Sequence, residues 1–309
     1  MKKCITLLAA GSFCALLLAK STMTVHLGVS LLNVFDVADV DSVTFHNDNM
    51  FVKGKNPKTY KVADVDSVTF YYEPKVADTV FVRYEGDMVN VLNPYTDISV
   101  ETSGSNVAIV SAHGTKGIVY CLSGSSSNGS FTLTPDRGYT LCLDNLNLAN
   151  PSSAPVVLNS AANGENYVAN IHLRGTSSLE DGSASTFKGA LYSKSKLKIS
   201  DDTLYSNTSL KVVGNAKHAI NSSKRIELYS GELNIAGAVS DGINADGVEV
   251  YGGSLTIGNT GGDGVDCSEK VLVAGGKVSV GVSAGDVKGI KCDSIVEIAG
   301  GELLFNVTG

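Results

Sequence analysis

The side chains with chemistry to offer crowd the last third of the chain and return at intervals. Tyr229 and Tyr251 hold equivalent places, each just ahead of a glycine bend. Two rings one strand spacing apart make a platform for the apolar face of a sugar, or a ladder that only covers a sheet. Glu227, Glu249 and Glu297 share the neighbouring outward position, interrupted by Leu272, with Arg225 beside them. Stacked carboxylates repel, so a cation, a basic neighbour or full solvation has to relieve them. A second oxygen-rich group comprises Asp241, Asn244, Asp246, Asp263, Asp266 and Asp286. Carboxylates and amides gathered at successive turns supply the six to eight oxygens that calcium takes. Asp-Gly is equally ordinary turn chemistry, and Asp/Asn columns also serve backbone hydrogen bonding.

Residues for catalysis are scarcer. Arg225, Lys217, Lys288 and Lys291 are the basic groups near these turns that could abstract a proton. Asp201 and Asp202 are adjacent, whereas a glycoside hydrolase needs two carboxylates at a set separation. His218 has no partner carboxylate in its own motif and reads as structural. No nucleophile elbow, phosphate loop or metalloprotease helix is present.

The elements that must position these groups repeat. DGINADGVEVYGGSLTI begins at Asp241, DGVDCSEKVLVAGGKVSV at Asp263 and VKGIKCDSIVEIAGGELLF at Val287, after a weaker copy, HAINSSKRIELYSGELNI, from His218. Ile220, Ile243, Val265 and Ile290 anchor the copies, and Gly231, Gly253, Gly276 and Gly301 mark their bends. A period of about 22 residues is that of a solenoid. Within a copy, Val248, Val250, Leu255 and Ile257 alternate with Glu249, Tyr251, Ser254 and Thr256, the period of strands rather than helices. Coils of short strands stacked in parallel bury the alternate residues. The fold class is therefore all-β, a right-handed parallel β-helix preceded by a small β unit. Cys267 and Cys292 share a column with Ser222 and Ala245, which reads as small-residue packing. In-register parallel side chains are poorly placed for a disulfide, so these two, and Cys121 with Cys142, are expected as buried free thiols.

Three segments follow. Residues 1–21 have the form of a secretory signal: Lys2 and Lys3, the apolar run Ile5–Ala19, then Ala19-Lys20-Ser21 as cleavage site. The run is too short for a spanning helix, and Cys14 follows Phe13, unlike a lipid-modified cysteine. Export places the chain in the periplasm, at the cell surface or outside the cell. Residues 22–75 hold the nonapeptide VADVDSVTF twice, at Val37 and Val62, each as a turn feeding a strand. Residues 79–309 make the β-helix. Leu303 and Phe305 complete a coil without a polar cap, which predicts a truncated chain or a partner on that face. The formal net charge is −7, and loss of Lys2, Lys3 and Lys20 makes it more negative. Such a surface disfavours nucleic acid, which needs a basic face.

The nonapeptide resembles an N-terminal segment common in exported Bacteroidetes proteins. The motifs DGINAD, GGxLxI, GDGVDC and KGIKCD, with VYCLSG, GTSSLEDG and KGALYS upstream, resemble the carbohydrate-binding β-helix family related in fold to pectate lyases, first found in cellulose-degrading clostridia. The resemblance covers residues 79–309. It implies an exported, non-catalytic binder of cellulose or pectin-like polysaccharide that carries calcium. A calcium-dependent lyase on the same fold and a structural surface spacer or adhesin are the alternatives.

Overall fold

The computed structural model describes residues 21–27, 31–72, 79–112, 114 and 117–308. The expected signal segment lies outside them, apart from Ser21. Chain contacts divide into two compact units, at Ala77 and Asp78. About 63% of the chain is strand, and the larger unit is a β-solenoid of about 8 turns. Among the described residues no helix is long and apolar enough to cross a membrane.

The N-terminal unit contains two three-stranded antiparallel sheets. One pairs Ser21–Leu27 with Leu31–Asp36 and with Ser67–Tyr72. The other pairs Asn49–Gly54 with Val40–His46 and with Lys58–Lys61. The two copies of the nonapeptide begin alike, with a 3-10 turn at Val37–Asp39 and at Val62–Asp64. They then feed strands of different sheets, so identical sequence is placed by what precedes and follows it. Met23, Val25, Met50 and Val52 form the buried centre.

In the larger unit two hairpins come first, Thr79–Glu85 with Met88–Leu92 and Ile98–Ser103 with Asn106–Ser111. From Val119 onward every pairing is parallel, coil on coil. Each regular coil gives one strand to each of three sheets. Ile220, Ile243, Val265 and Ile290 stack in the first. Leu228, Val250, Val273 and Ile298 stack in the second. Leu233, Leu255, Val278 and Leu303 stack in the third. Alternation of the pleat makes each stack a continuous apolar column, and burial of such side chains contributes about 1.5–3 kcal/mol apiece. Inward residues of the last coil are open to solvent, with Val296 48%, Ile298 59% and Phe305 45% exposed.

The bend between second and third sheets explains the paired glycines. Gly253 and Gly276 have φ of +73° and +72°. A Cβ at Gly276 would meet the Gly253 carbonyl oxygen at 2.6 Å, so side chains are excluded by backbone on the coil beneath as well as by conformation. Cys121 pairs in register with Cys142, and Cys267 with Cys292. These four cysteines are free thiols, Cys292 partly exposed and the others buried.

Candidate functional site

The second sheet carries the tyrosines. Glu227, Glu249, Leu272 and Glu297 follow one another in register, as their spacing predicts. Tyr229 and Tyr251 occupy the next outward column and stack face to face, with centroids 5.0 Å apart and planes 11° apart. Their hydroxyls donate to the carboxylates of their own strands, Tyr229 to Glu227 at 3.0 Å and Tyr251 to Glu249 at 2.7 Å. The Tyr251 phenol is thereby pushed up to about 12, first by that bond to Glu249 and then by desolvation. The rings face along the solenoid axis and show their edges to solvent. The Lys198 ammonium lies 6.0 Å from the Tyr229 ring centre. The positions that follow Tyr251 in its column are Ala274 and Ala299, placed by bonds from Ala274 N–H to Val250 O and from Ala299 N–H to Val273 O. The second face of Tyr251 therefore looks over two methyl groups.

Two of the three glutamates are not solvated, and Glu297, on the last coil, is exposed. Glu227 and Glu249 are each only 5% exposed, because the tyrosines and long basic side chains lie over them. Lys196 and Lys198 pair with Glu227, Arg225 bridges Glu249 and Glu269 at 3.3 and 2.9 Å, and Lys270 holds Glu297 at 2.7 Å. Basic neighbours relieve the repulsion. Removing one partner from a buried carboxylate is costly, so this network stabilises the sheet face and fixes both rings.

The turn into the first sheet carries Asp241 and Asp263. Asp241 Oδ1 accepts the N–H of Asp263 at 2.9 Å, and Asp263 Oδ1 accepts the N–H of Lys288 at 2.7 Å. Each carboxylate thus ties its turn to the next coil. His218 Nδ1 approaches Asp241 Oδ2 at 3.2 Å. That carboxylate is supplied by the following coil, which is why the local motif around His218 shows none.

The six oxygen-bearing residues do not converge on one point. In the first sheet Asn221, Asn244, Asp266 and Lys291 stand in register. Asn244 Nδ2 donates to Asp266 Oδ2 at 3.2 Å and Lys291 Nζ to Asp266 Oδ1 at 2.9 Å. Asp246 lies 3.7 Å from Lys224. Asp286 is exposed in a turn with φ of 67°. Among the described residues no three Asp, Glu, His or Cys side chains form a group able to hold a metal. Calcium needs several oxygens free to turn inward; here Asp241, Asp263 and Asp266 are already held by backbone N–H groups, an amide and an ammonium. In this structure these six residues do not form one donor set.

Of the catalytic candidates, two of the four basic groups and both aspartates are engaged likewise. Arg225 and Lys291 are held by carboxylates. Asp202 binds Arg174 at 2.7 Å, and Asp201 accepts the Thr208 hydroxyl. The adjacent aspartates therefore have separate structural partners.

Beside the Asn221–Lys291 column lies a polar groove of about 380 Å³. It extends back to Tyr192, which pairs with Asn221. Lys194 stands over the Tyr192 ring at 5.4 Å and donates to Ser223 at 3.2 Å. Tyr192, Lys194 and Asn221 are the residues that sequence reasoning missed. The signal was available: extending the Asn244/Asp266 column one copy upstream reaches Asn221, and one further reaches Tyr192 across the first irregular coil.

Parallel coils, three stacked sheets and long polar outward columns define a β-solenoid of the pectate-lyase-like type. A structure of the polysaccharide lyase-like protein from C. thermocellum, in a gadolinium derivative, matches the fold with a TM-score of 0.54 at 20% identity, over 74% of this chain and 96% of that one. No curated protein matches the chain. The model of the family described as carbohydrate-binding domain-containing protein matches residues 103–309. The chain belongs to that family.

Proposed function

We propose that the chain is an exported, non-catalytic polysaccharide-binding protein that holds cellulose or pectin-like chains on the outward columns of its solenoid. The observation that carries this reading is the open face of Tyr251. The ring is fixed by Tyr229 on one side and by its hydroxyl bond to Glu249, while Ala274 and Ala299 leave the other side clear. A pyranose laid against it loses its apolar face to an immobile ring, so little side-chain entropy is lost on binding. Membership of the carbohydrate-binding family supports the reading. The pairing of Arg225, Lys291, Asp201 and Asp202 with other groups supports a non-catalytic reading of those four residues.

Pull-down of the mature chain on insoluble cellulose, and its retardation in gels containing polygalacturonate, test the proposal. Retention on either polymer without release of unsaturated products is the expected outcome. Unsaturated products absorbing in the ultraviolet would replace it with the lyase alternative. Failure to bind any plant or host glycan would leave the spacer or adhesin reading.

A further inference from the structure

The groove on the first sheet is built from side chains whose directions are already settled. Asp266 is the fixed point, because a carboxylate only accepts. Asn244 must therefore turn its amide nitrogen to Asp266, which it does at 3.2 Å. Its carbonyl oxygen then faces the preceding coil, where Asn221 Nδ2 donates to it at 2.8 Å. With its amide nitrogen committed to Asn244, Asn221 keeps its carbonyl oxygen as an acceptor. At the other end Lys291 closes the series on Asp266 at 2.9 Å. The outcome is a one-way row with an acceptor at its Tyr192 end and an ammonium at its Lys291 end.

Three features make this row a binding surface as well as a brace. It floors a concavity of about 380 Å³, within the range of ligand sites. Tyr192, backed by Phe187 at 5.4 Å, adds an aromatic surface in the same column. The row from Tyr192 to Lys291 crosses four coil steps, about 19 Å at the spacing of paired strands, so its groups recur at close to the length of one pyranose unit. Because these side chains are ordered by one another before any ligand arrives, hydroxyl groups that bind them lose little additional freedom.

The charges in the groove decide the class of ligand. Asp266 and Lys291 neutralise each other, Asp246 lies near Lys224 at 3.7 Å, and Lys194 is drawn onto Tyr192 and Ser223. Lys188, Lys194 and Lys291 line the groove with Asp246, Asp266 and Asp293, so its formal charges cancel and no net charge of one sign is presented to a polyanion. Amides, hydroxyls and one ring suit an uncharged polyol. We propose that this groove is a second glycan-binding site, separate from the Tyr251 face, which takes an uncharged, hydroxyl-rich polysaccharide lying along the solenoid axis with a sugar ring against Tyr192. The inference rests on the carbohydrate-binding reading and adds to it a location, a direction and a preference for neutral chains.

Isothermal titration of the full chain with hydroxyethylcellulose and with polygalacturonate, at low and high salt, tests it. The wild-type chain is expected to bind hydroxyethylcellulose with an affinity that salt leaves unchanged. Asn221→Leu/Asn244→Leu is expected to weaken that binding at least about tenfold, the loss of one or two hydrogen-bonding groups. Since Asn221 is buried and the double variant risks the coil, Tyr192→Ala, at a half-buried side chain, is a second probe, expected to weaken binding several-fold in a chain that still unfolds cooperatively. Wild-type binding that both folded variants retain overturns the groove and leaves the carbohydrate-binding function standing. Binding confined to polygalacturonate and abolished by salt overturns the neutral preference. Absence of binding to either polymer overturns the groove and the function together.

Discussion

His218 Nδ1 lies 3.2 Å from Asp241 Oδ2, across one coil, with side chains only 4% and 14% exposed. The contact is bent away from a straight hydrogen bond, yet it places a histidine beside a carboxylate that also accepts the Asp263 N–H. Burial by itself raises the Asp241 carboxyl, but the His218 ring and the Asp263 N–H outweigh it and hold the group below its usual value.

The direction of that shift sets a pH dependence. A carboxylate whose folded value is depressed adds stability that is complete above its unfolded value, about 3.9 for aspartate, and is lost as pH falls through the folded one. Asp241→Asn is expected to lower the melting temperature at neutral pH and to flatten its fall in acid. Melting curves from about pH 2 to 6 check this. An acid limb equally steep in wild type and variant would refute the role of Asp241.

The tyrosine pair gives a binding prediction. Tyr251→Ala removes the ring whose free face lies over Ala274 and Ala299. A stacking contribution of about 0.5–1.5 kcal/mol corresponds to a loss of about two- to tenfold in retention on insoluble polysaccharide. Tyr229→Ala, which removes the ring behind it, is expected to weaken retention less. Affinity electrophoresis of both variants measures the order.

Gly276 offers a test of the coil geometry. Gly276→Ala places a methyl 2.6 Å from the Gly253 carbonyl on a backbone with φ of +72°. The strain alone costs about 1–3 kcal/mol, and the contact adds to it. A drop of several degrees in melting temperature is the expected result. Gly285, with open space around its Cβ position, is the control whose replacement by alanine leaves stability near wild type.

The cysteines should differ in reactivity. Burial raises the Cys292 thiol, but the Cys267 thiol and backbone N–H groups of Ser294, Ile295 and Val271 outweigh burial and lower it. Cys267 is pushed up, chiefly by burial. Alkylation of the native chain followed by mass spectrometry is expected to label Cys292 first, with Cys121, Cys142 and Cys267 protected until unfolding.

The engaged carboxylates predict indifference to chelation. Addition of a chelator to the purified chain is expected to leave its melting temperature unchanged, because a bound ion would stabilise the folded state by mass action. A fall on chelation that calcium restores would identify a site beyond the ladders of Asp241, Asp263 and Asp266.

Much of the architecture was legible in the sequence. The alternation in Val248–Ile257 and the recurrence of Ile220, Ile243, Val265 and Ile290 specify parallel coils, since period two sends side chains to alternate faces and a fixed repeat aligns them. The same arithmetic places Tyr229 against Tyr251 and Cys267 against Cys292. Partners across a coil were less legible, because they depend on rotamers and on which neighbour wins a shared group. The tertiary structure decided that Glu227 and Glu249 are covered by tyrosines and basic chains, that Asp241 meets His218, and that Asp266 is closed by Asn244 and Lys291. It also decided that Tyr192, Asn221 and Asn244 floor one groove, because Tyr192 enters the column only after an irregular coil. Repeat period determines which residues share a column; packing determines which face of each stays open to a ligand.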